Sequence, residues 1–263
     1  MQTPIHAIID DCLPLIMAMA GGRYAVSLGG SRGKRVADER SDLDFRLFCD
    51  APVGGEACYQ TLEWQRFVDR VEHWRSQGVN IDYCWIRSVA DIDGQLDAWL
   101  SGHGQATEMV WTLWGYHVLT DIANQQVIVD ADGLIARWHA RLTPYPLVLK
   151  QAILAKHVAS LTYWQTDYHY RHKVMRGDVV FLAGMSARLV HDMLQVLFAL
   201  NECYYVGDGN NLCYLATFAI KPADAEERIT VALQMLHDPE HQYQLLQRLI
   251  ADVLACVQVS SVR

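Results

Sequence analysis

No Cys-x-x-Cys pair occurs among the seven cysteines of this 263-residue chain, and their number is odd. A disulfide framework or a structural zinc site is therefore not expected, and the thiols read as buried and reduced. A run of lysines and arginines is also missing, and the formal charge is −8. A protein that wraps nucleic acid needs a basic face to neutralise phosphates, so nucleic acid is not an expected partner. An acidic balance suits a cationic small molecule better. No eighteen uninterrupted apolar residues occur, which argues against a membrane span. The first apolar stretch contains Asp10 and Asp11 and has no basic leader, which argues against a signal peptide. The expectation is a soluble cytoplasmic protein, and 51% hydrophobic residues allow a sizeable core.

What is present is a mixed pattern followed by a helical one. Thr3-Pro4 reads as a helix start and Gly21-Gly22 as its stop. Residues 23–28 and 43–49 read as strands joined by a polar, glycine-containing connection, which suits an antiparallel pair. Residues 59–78 have helical spacing, 79–86 alternate like a strand, and 88–113 read as one or two helices broken near "SGHG". Short strands are expected at 116–121 and 126–130, then a helix at 131–141. Two prolines in "LTPYPL" mark a boundary. Beyond it lie long apolar helices at 147–175 and 178–201, with Asp178 as a cap, and shorter ones near 212–219, 223–236 and 239–257. Residues 179–200 are apolar on nearly every face and should occupy the centre of a bundle. The reading is α+β, with a small mixed sheet and flanking helices in residues 1–142 and a helical domain in 143–263.

The stretch "VSLGGSRGKRVADERSDLDFRLFC" (26–49) carries the chemistry. Asp42 and Asp44 are two apart, so on a strand they project from one face. Paired carboxylates repel unless a cation lies between them, and Mg²⁺ accepts one or two carboxylates plus substrate phosphates. Asp82 stands mid-strand between Ile81 and Tyr83, where an acid is costly without a partner. Gly29 and Gly30 let backbone N–H groups approach a phosphate, and Ser31 and Arg32 add donors. A P-loop does not fit, because Leu28 would take its first glycine position and Arg35 its Ser/Thr position. A dinucleotide fingerprint does not fit either, because Ser31 stands at its third turn position.

"LGGS" followed by "DLD", with a later apolar-Asp-apolar strand, resembles the DNA polymerase β-type nucleotidyltransferase superfamily. Within it, "GGSRGKRVADERSDLDFRLF" is most similar to the kanamycin- and streptomycin-type antibiotic nucleotidyltransferases, which pair a catalytic domain with a C-terminal helical one. The close match covers roughly residues 23–50. The resemblance implies transfer of a nucleoside monophosphate, AMP from ATP, to a hydroxyl of a small, cationic aminoglycoside-like acceptor. It implies two Mg²⁺ ions held by Asp42, Asp44 and Asp82, with Asp82 as metal ligand or base, and a triphosphate on Gly29, Gly30, Ser31 and Arg32. Where relatives carry a lysine after "LN…Y", this chain has Asp208, Asn210 and Asn211, leaving Lys150, Lys156 or Lys173 as substitutes.

Bland readings stand beside these. The aspartates could punctuate a solvated hairpin, and the glycines could serve only a tight turn. Glu108, in a stretch read as helical, is the candidate acceptor base against an exposed helix residue. Asp192 reads by default as a partner in a helix-surface salt bridge. Rival functions are nucleotidylation of a protein or RNA and a non-catalytic, nucleotide-sensing or antitoxin-like module. The apolar helices could also supply a homodimer face.

Overall fold

The computed structural model describes residues 5–209 and 211–261, so the Thr3-Pro4 helix start and Asn210 lie outside the described residues. With 60% helix, one four-stranded mixed sheet and a helical C-terminal region, the chain is α+β. It divides into two compact units, Met1–Trp99 with Val118–Pro144, and Leu100–His117 with Tyr145–Arg263. The sequence reading set a single boundary at 142/143; the second cut falls close by, at Pro144/Tyr145, but residues 100–117 group with the helical unit.

In the first unit, β1 (Ala20–Leu28), β2 (Leu43–Pro52), β3 (Ile81–Ser88) and β4 (Gln126–Val129) form a sheet of order β3-β2-β1-β4. β1 runs antiparallel to β2 and β4, and β2 runs parallel to β3. The two-residue period of β2 decides which side chains are buried. Leu43, Phe45 and Leu47 point into a core with Ile8, Cys12 and Ile16 of α1 (Ile5–Met17) and Phe67 and Val71 of α3 (Leu62–Ser76). On the opposite face Phe48 meets the fully buried Trp138 of α6 (Leu134–Leu142) edge to face. That alternation leaves Asp44 and Arg46 on the face away from the α1/α3 core.

Two local expectations are corrected. Residues 116–121 were read as a strand, but Val118–Ala123 is a helix, α5, with all but its last residue buried. After α4 (Val89–Leu100) there is no second helix before residue 117; residues 101–117 form turns and one Thr107–Tyr116 bridge. In 118–122 the apolar run is buried on a short helix, whereas Val110, Trp111 and Leu113 of the irregular segment are exposed.

In the second unit, α9 (Val179–Leu200) packs against α7 (Leu147–Thr166), α8 (Tyr168–Arg176), α10 (Asn211–Ala216), α11 (Ala225–Gln234) and α12 (Pro239–Ser261). This central position follows from its apolar faces. Among the described residues it is the one helix long and apolar enough to cross a membrane by length and composition, and most of it is buried within the unit. Asp178 caps it as expected, accepting from the Phe181 N–H at 3.3 Å. Asp167 similarly accepts from the Tyr170 N–H at 2.7 Å, which splits the expected 147–175 helix in two.

Asp192 is not on the helix surface: it is 5% exposed. Its carboxylate pairs with His157 Nδ1 at 2.6 Å and accepts from Ser160 Oγ at 2.7 Å. Burial raises its pKa, but these partners outweigh burial and hold it below the usual carboxylate range. Replacing it by Ala leaves the buried His157 and the half-buried Ser160 without their acceptor, so Asp192→Ala should cost about 3 kcal/mol. Urea unfolding followed by helical circular dichroism measures this, and an unchanged midpoint would refute it.

Candidate active site

The site begins where β1 ends. Gly29 follows the strand, and Gly30–Gly33 forms the single-turn α2. The Gly29 N–H donates to the Asp44 carbonyl at 2.9 Å, which ties the turn to β2. Gly30 has φ +56°, and a Cβ there would lie 1.8 Å from Asp44 Oδ2. Only glycine allows that carboxylate to lie against the turn. A Cβ on Gly33 would meet the Asn124 carbonyl at 1.9 Å, so the turn also has no room behind it. Ser31 Oγ is buried and has no hydrogen-bond partner.

Asp42, Asp44 and Asp82 come from adjacent parallel strands. Leu43 pairs with Ile81, and both point into the core. Asp42 precedes the first of these and Asp82 follows the second, where the strand register shifts between Leu43 and Phe45. Asp42 and Asp82 line one cleft of about 350 Å³, together with Arg40, Arg75 and Asn80. Burial pushes the Asp44 carboxyl up to about 6; Arg46 opposes this, and the charges of Asp42 and Asp82 add to it. The Asp44 carboxyl therefore senses the charge of both Asp42 and Asp82. Among the described residues, however, no three His, Cys, Asp or Glu side chains are gathered as a ready-made metal-ligand group. Asp82 is exposed, with one oxygen accepting from the Tyr83 N–H at 2.9 Å.

Arg32 has two of its donors engaged within the chain. Its Nε donates to the Asp42 carbonyl at 2.9 Å and its Nη2 to the Ser41 carbonyl at 3.1 Å. It clamps the connection that enters β2, and so positions Asp42. Glu108 is an exposed residue of the irregular 101–117 segment, not of the expected helix. Of the substitute lysines, Lys150 pairs with Glu202 at 2.9 Å and Lys173 with Asp178 at 2.7 Å, while Lys156 is exposed. All seven cysteines are free thiols.

Sequence reasoning missed the groups beneath the turn. Arg46, two residues after Asp44, lies 3.9 Å from it and donates to Asp121 of α5 at 3.4 Å. Gln125 donates to the Asp121 carbonyl at 2.6 Å and to its carboxylate at 2.9 Å, and Ser27 Oγ donates to Gln125 Oε1 at 2.5 Å. The one legible signal was the i, i+2 relation that puts Arg46 on the Asp44 face. A family model described as "Domain of unknown function (DUF4037)" matches residues 111–208, a segment that includes Asp121 and Gln125. That domain is associated with nucleotidyltransferase-like proteins. A search of curated proteins finds no match.

Proposed function

We propose that this chain is a Mg²⁺-dependent nucleotidyltransferase of the polymerase β-like type, moving AMP from ATP to a hydroxyl of a small acceptor. The observation that supports this reading is the Asp44 carboxylate, within the charge of Asp42 and Asp82 and lying against a turn that tolerates only glycine at position 30. Asp42 and Asp44 fit a hard cation, which takes one or two carboxylates and completes its shell with phosphate oxygens. When bound, such a cation withdraws charge from the α-phosphate and the departing pyrophosphate.

The chain's own groups have separable tasks. Gly29 and Gly30 admit a phosphate close to the backbone, and the buried, unpartnered Ser31 Oγ offers it a hydrogen bond. Asp82, exposed in the cleft beside Asp42, takes the proton of the acceptor hydroxyl. The hydroxyl oxygen then bonds to the α-phosphorus as the bond to pyrophosphate breaks. The chain's charge of −8 supports a cationic, aminoglycoside-like acceptor. Seven free thiols support a reducing, cytoplasmic setting.

The test is incubation of the chain with Mg²⁺, α-labelled ATP and a panel of aminoglycosides. Pyrophosphate release matched by label on one acceptor is expected. Label on a protein or RNA instead would overturn the small-acceptor reading. ATP binding without turnover across all acceptor classes would overturn transfer and leave a nucleotide-sensing module.

A further inference from the structure

Arg46 is an arginine two residues from a carboxylate pair, yet its side chain is only 12% exposed. A guanidinium so enclosed needs partners in fixed places. It has Asp121 at 3.4 Å, the Phe45 carbonyl at 3.2 Å, and the face of Trp85 with its ring centroid 5.5 Å away. Asp121 is 9% exposed and is itself held by Gln125, which is 9% exposed and accepts from the fully buried Ser27. The chain Ser27–Gln125–Asp121–Arg46 therefore ties β1 to α5 and β2 as one hydrogen-bonded unit.

Its upper end touches the turn. A Cβ on Gly29 would stand 3.0 Å from Arg46 Cζ and Nε and 3.0 Å from Asp121 Oδ1. On its other side Arg46 faces Asp44, whose Oδ2 lies against Gly30. One cation thus borders both parts of the site: the glycine turn and a carboxylate. Arg32, the arginine with the more obvious place in the motif, spends its Nε and Nη2 on backbone carbonyls.

We infer that the Arg46–Asp121 pair is a positioning unit for the nucleotide site, holding the Asp44 carboxylate against Gly30 and placing positive charge behind the phosphate turn. The inference rests on the nucleotidyltransferase reading and adds to it residues outside the motif. Neither residue is a catalytic group: both act through Asp44 and the backbone of the turn. Asp121 and Asp44 share one guanidinium, so removing either member of the pair frees the other to shift. Asp121→Asn is close in shape and keeps an oxygen for Gln125, but gives up the charge that fixes Arg46. Arg46→Lys keeps the charge and gives up the fork.

The experiment is calorimetric titration of ATP into the full chain, with Mg²⁺ and in chelator, alongside thermal unfolding. The variants are Asp121→Asn, Arg46→Lys and the exposed-pair control Arg23→Ala, whose partner Asp50 lies 2.9 Å away at the far end of β1. Each site variant should weaken Mg²⁺-ATP binding about tenfold, in line with a lost charge-assisted hydrogen bond. ATP binding in chelator should change less, so the metal-dependent gain shrinks, and the double variant should lose little more than either single. Arg23→Ala should bind as wild type does. If wild type binds Mg²⁺-ATP and the site variants bind it equally well while melting earlier, the pair is structural only and this inference fails alone. If wild type shows no Mg²⁺-ATP binding, the transferase reading fails and takes the inference with it.

Discussion

Asp44→Asn should abolish nucleotidyl transfer and, in metal-free buffer at pH 8, make the folded chain more stable. The loss of transfer should reach about a thousandfold, since a cation at the reacting phosphate contributes several kcal/mol and each 1.4 kcal/mol is tenfold. The gain in stability follows from the direction of the shift. Burial first, and then Asp42 and Asp82, push the Asp44 carboxyl up to about 6 against the pull of Arg46. A raised carboxylate pKa means the folded chain binds this proton more tightly than the unfolded chain does. Stability from this group is present below the ordinary carboxylate range and is lost as the pH rises through about 6. At pH 8 the charge is a cost, and Asn removes it, for a gain on the order of 2 kcal/mol. At pH 4 the protonated acid and the amide should be nearly equivalent. Melting temperatures at the two pH values with chelator, beside a pyrophosphate assay, read both halves. A variant that loses stability at pH 8 would show that Asp44 is not held among like charges, and a variant with normal turnover would remove it from the site.

The helical unit should come apart in mild acid, because two of its histidines are half-buried and held neutral. Burial depresses His191 to about 3, with the charge of His157 adding and Asp192 opposing. Burial depresses His117 to about 4, with Lys156 adding and Asp208 opposing. The His191 ring stacks on Trp114 at 4.4 Å, and both histidines meet Tyr205 at 5.3 Å. For a base with a lowered pKa, the unfolded chain binds the proton first. Stability from these rings is therefore complete above their ordinary value of 6.5 and drains away as the pH falls from there toward 4 and 3. The combined loss should be roughly 5 kcal/mol, enough to unfold a marginally stable domain. His191→Phe keeps a ring against Trp114 but cannot take up the proton, so its acid midpoint, followed by helical circular dichroism, should move about half a pH unit lower. An unmoved midpoint would shift the acid sensitivity to other groups.

How much of this was legible depends on how far each interaction reaches along the chain. Strands β1, β2 and β3 are spelled out by alternation, and α3 by apolar spacing. Asp178 announces itself as a cap because the N–H it accepts from is three residues away. Asp42 and Asp44 share a face by the period of a strand alone. Their meeting with Asp82 needed only the pairing of two recognisable strands. Arg46 and Asp121 are 75 residues apart, Ser27 and Gln125 98 apart, and His157 and Asp192 35 apart. No local pattern encodes such pairs, because a buried charge chooses its partner only after the backbone has folded around it.

The same reason explains the misreadings. Apolar residues in 88–113 suggest one or two helices, yet 101–113 is irregular and groups with elements that begin only at Leu147. Asp192 looked like a surface charge, and a histidine and a serine on another helix make its burial tolerable. By itself the sequence determined the α+β class, the central apolar helix and the glycine-and-aspartate motif, because periodicity, capping and turn chemistry act between near neighbours. Tertiary structure alone decided which arginine stands behind the turn and which acids are buried, because desolvation is a property of the packed chain.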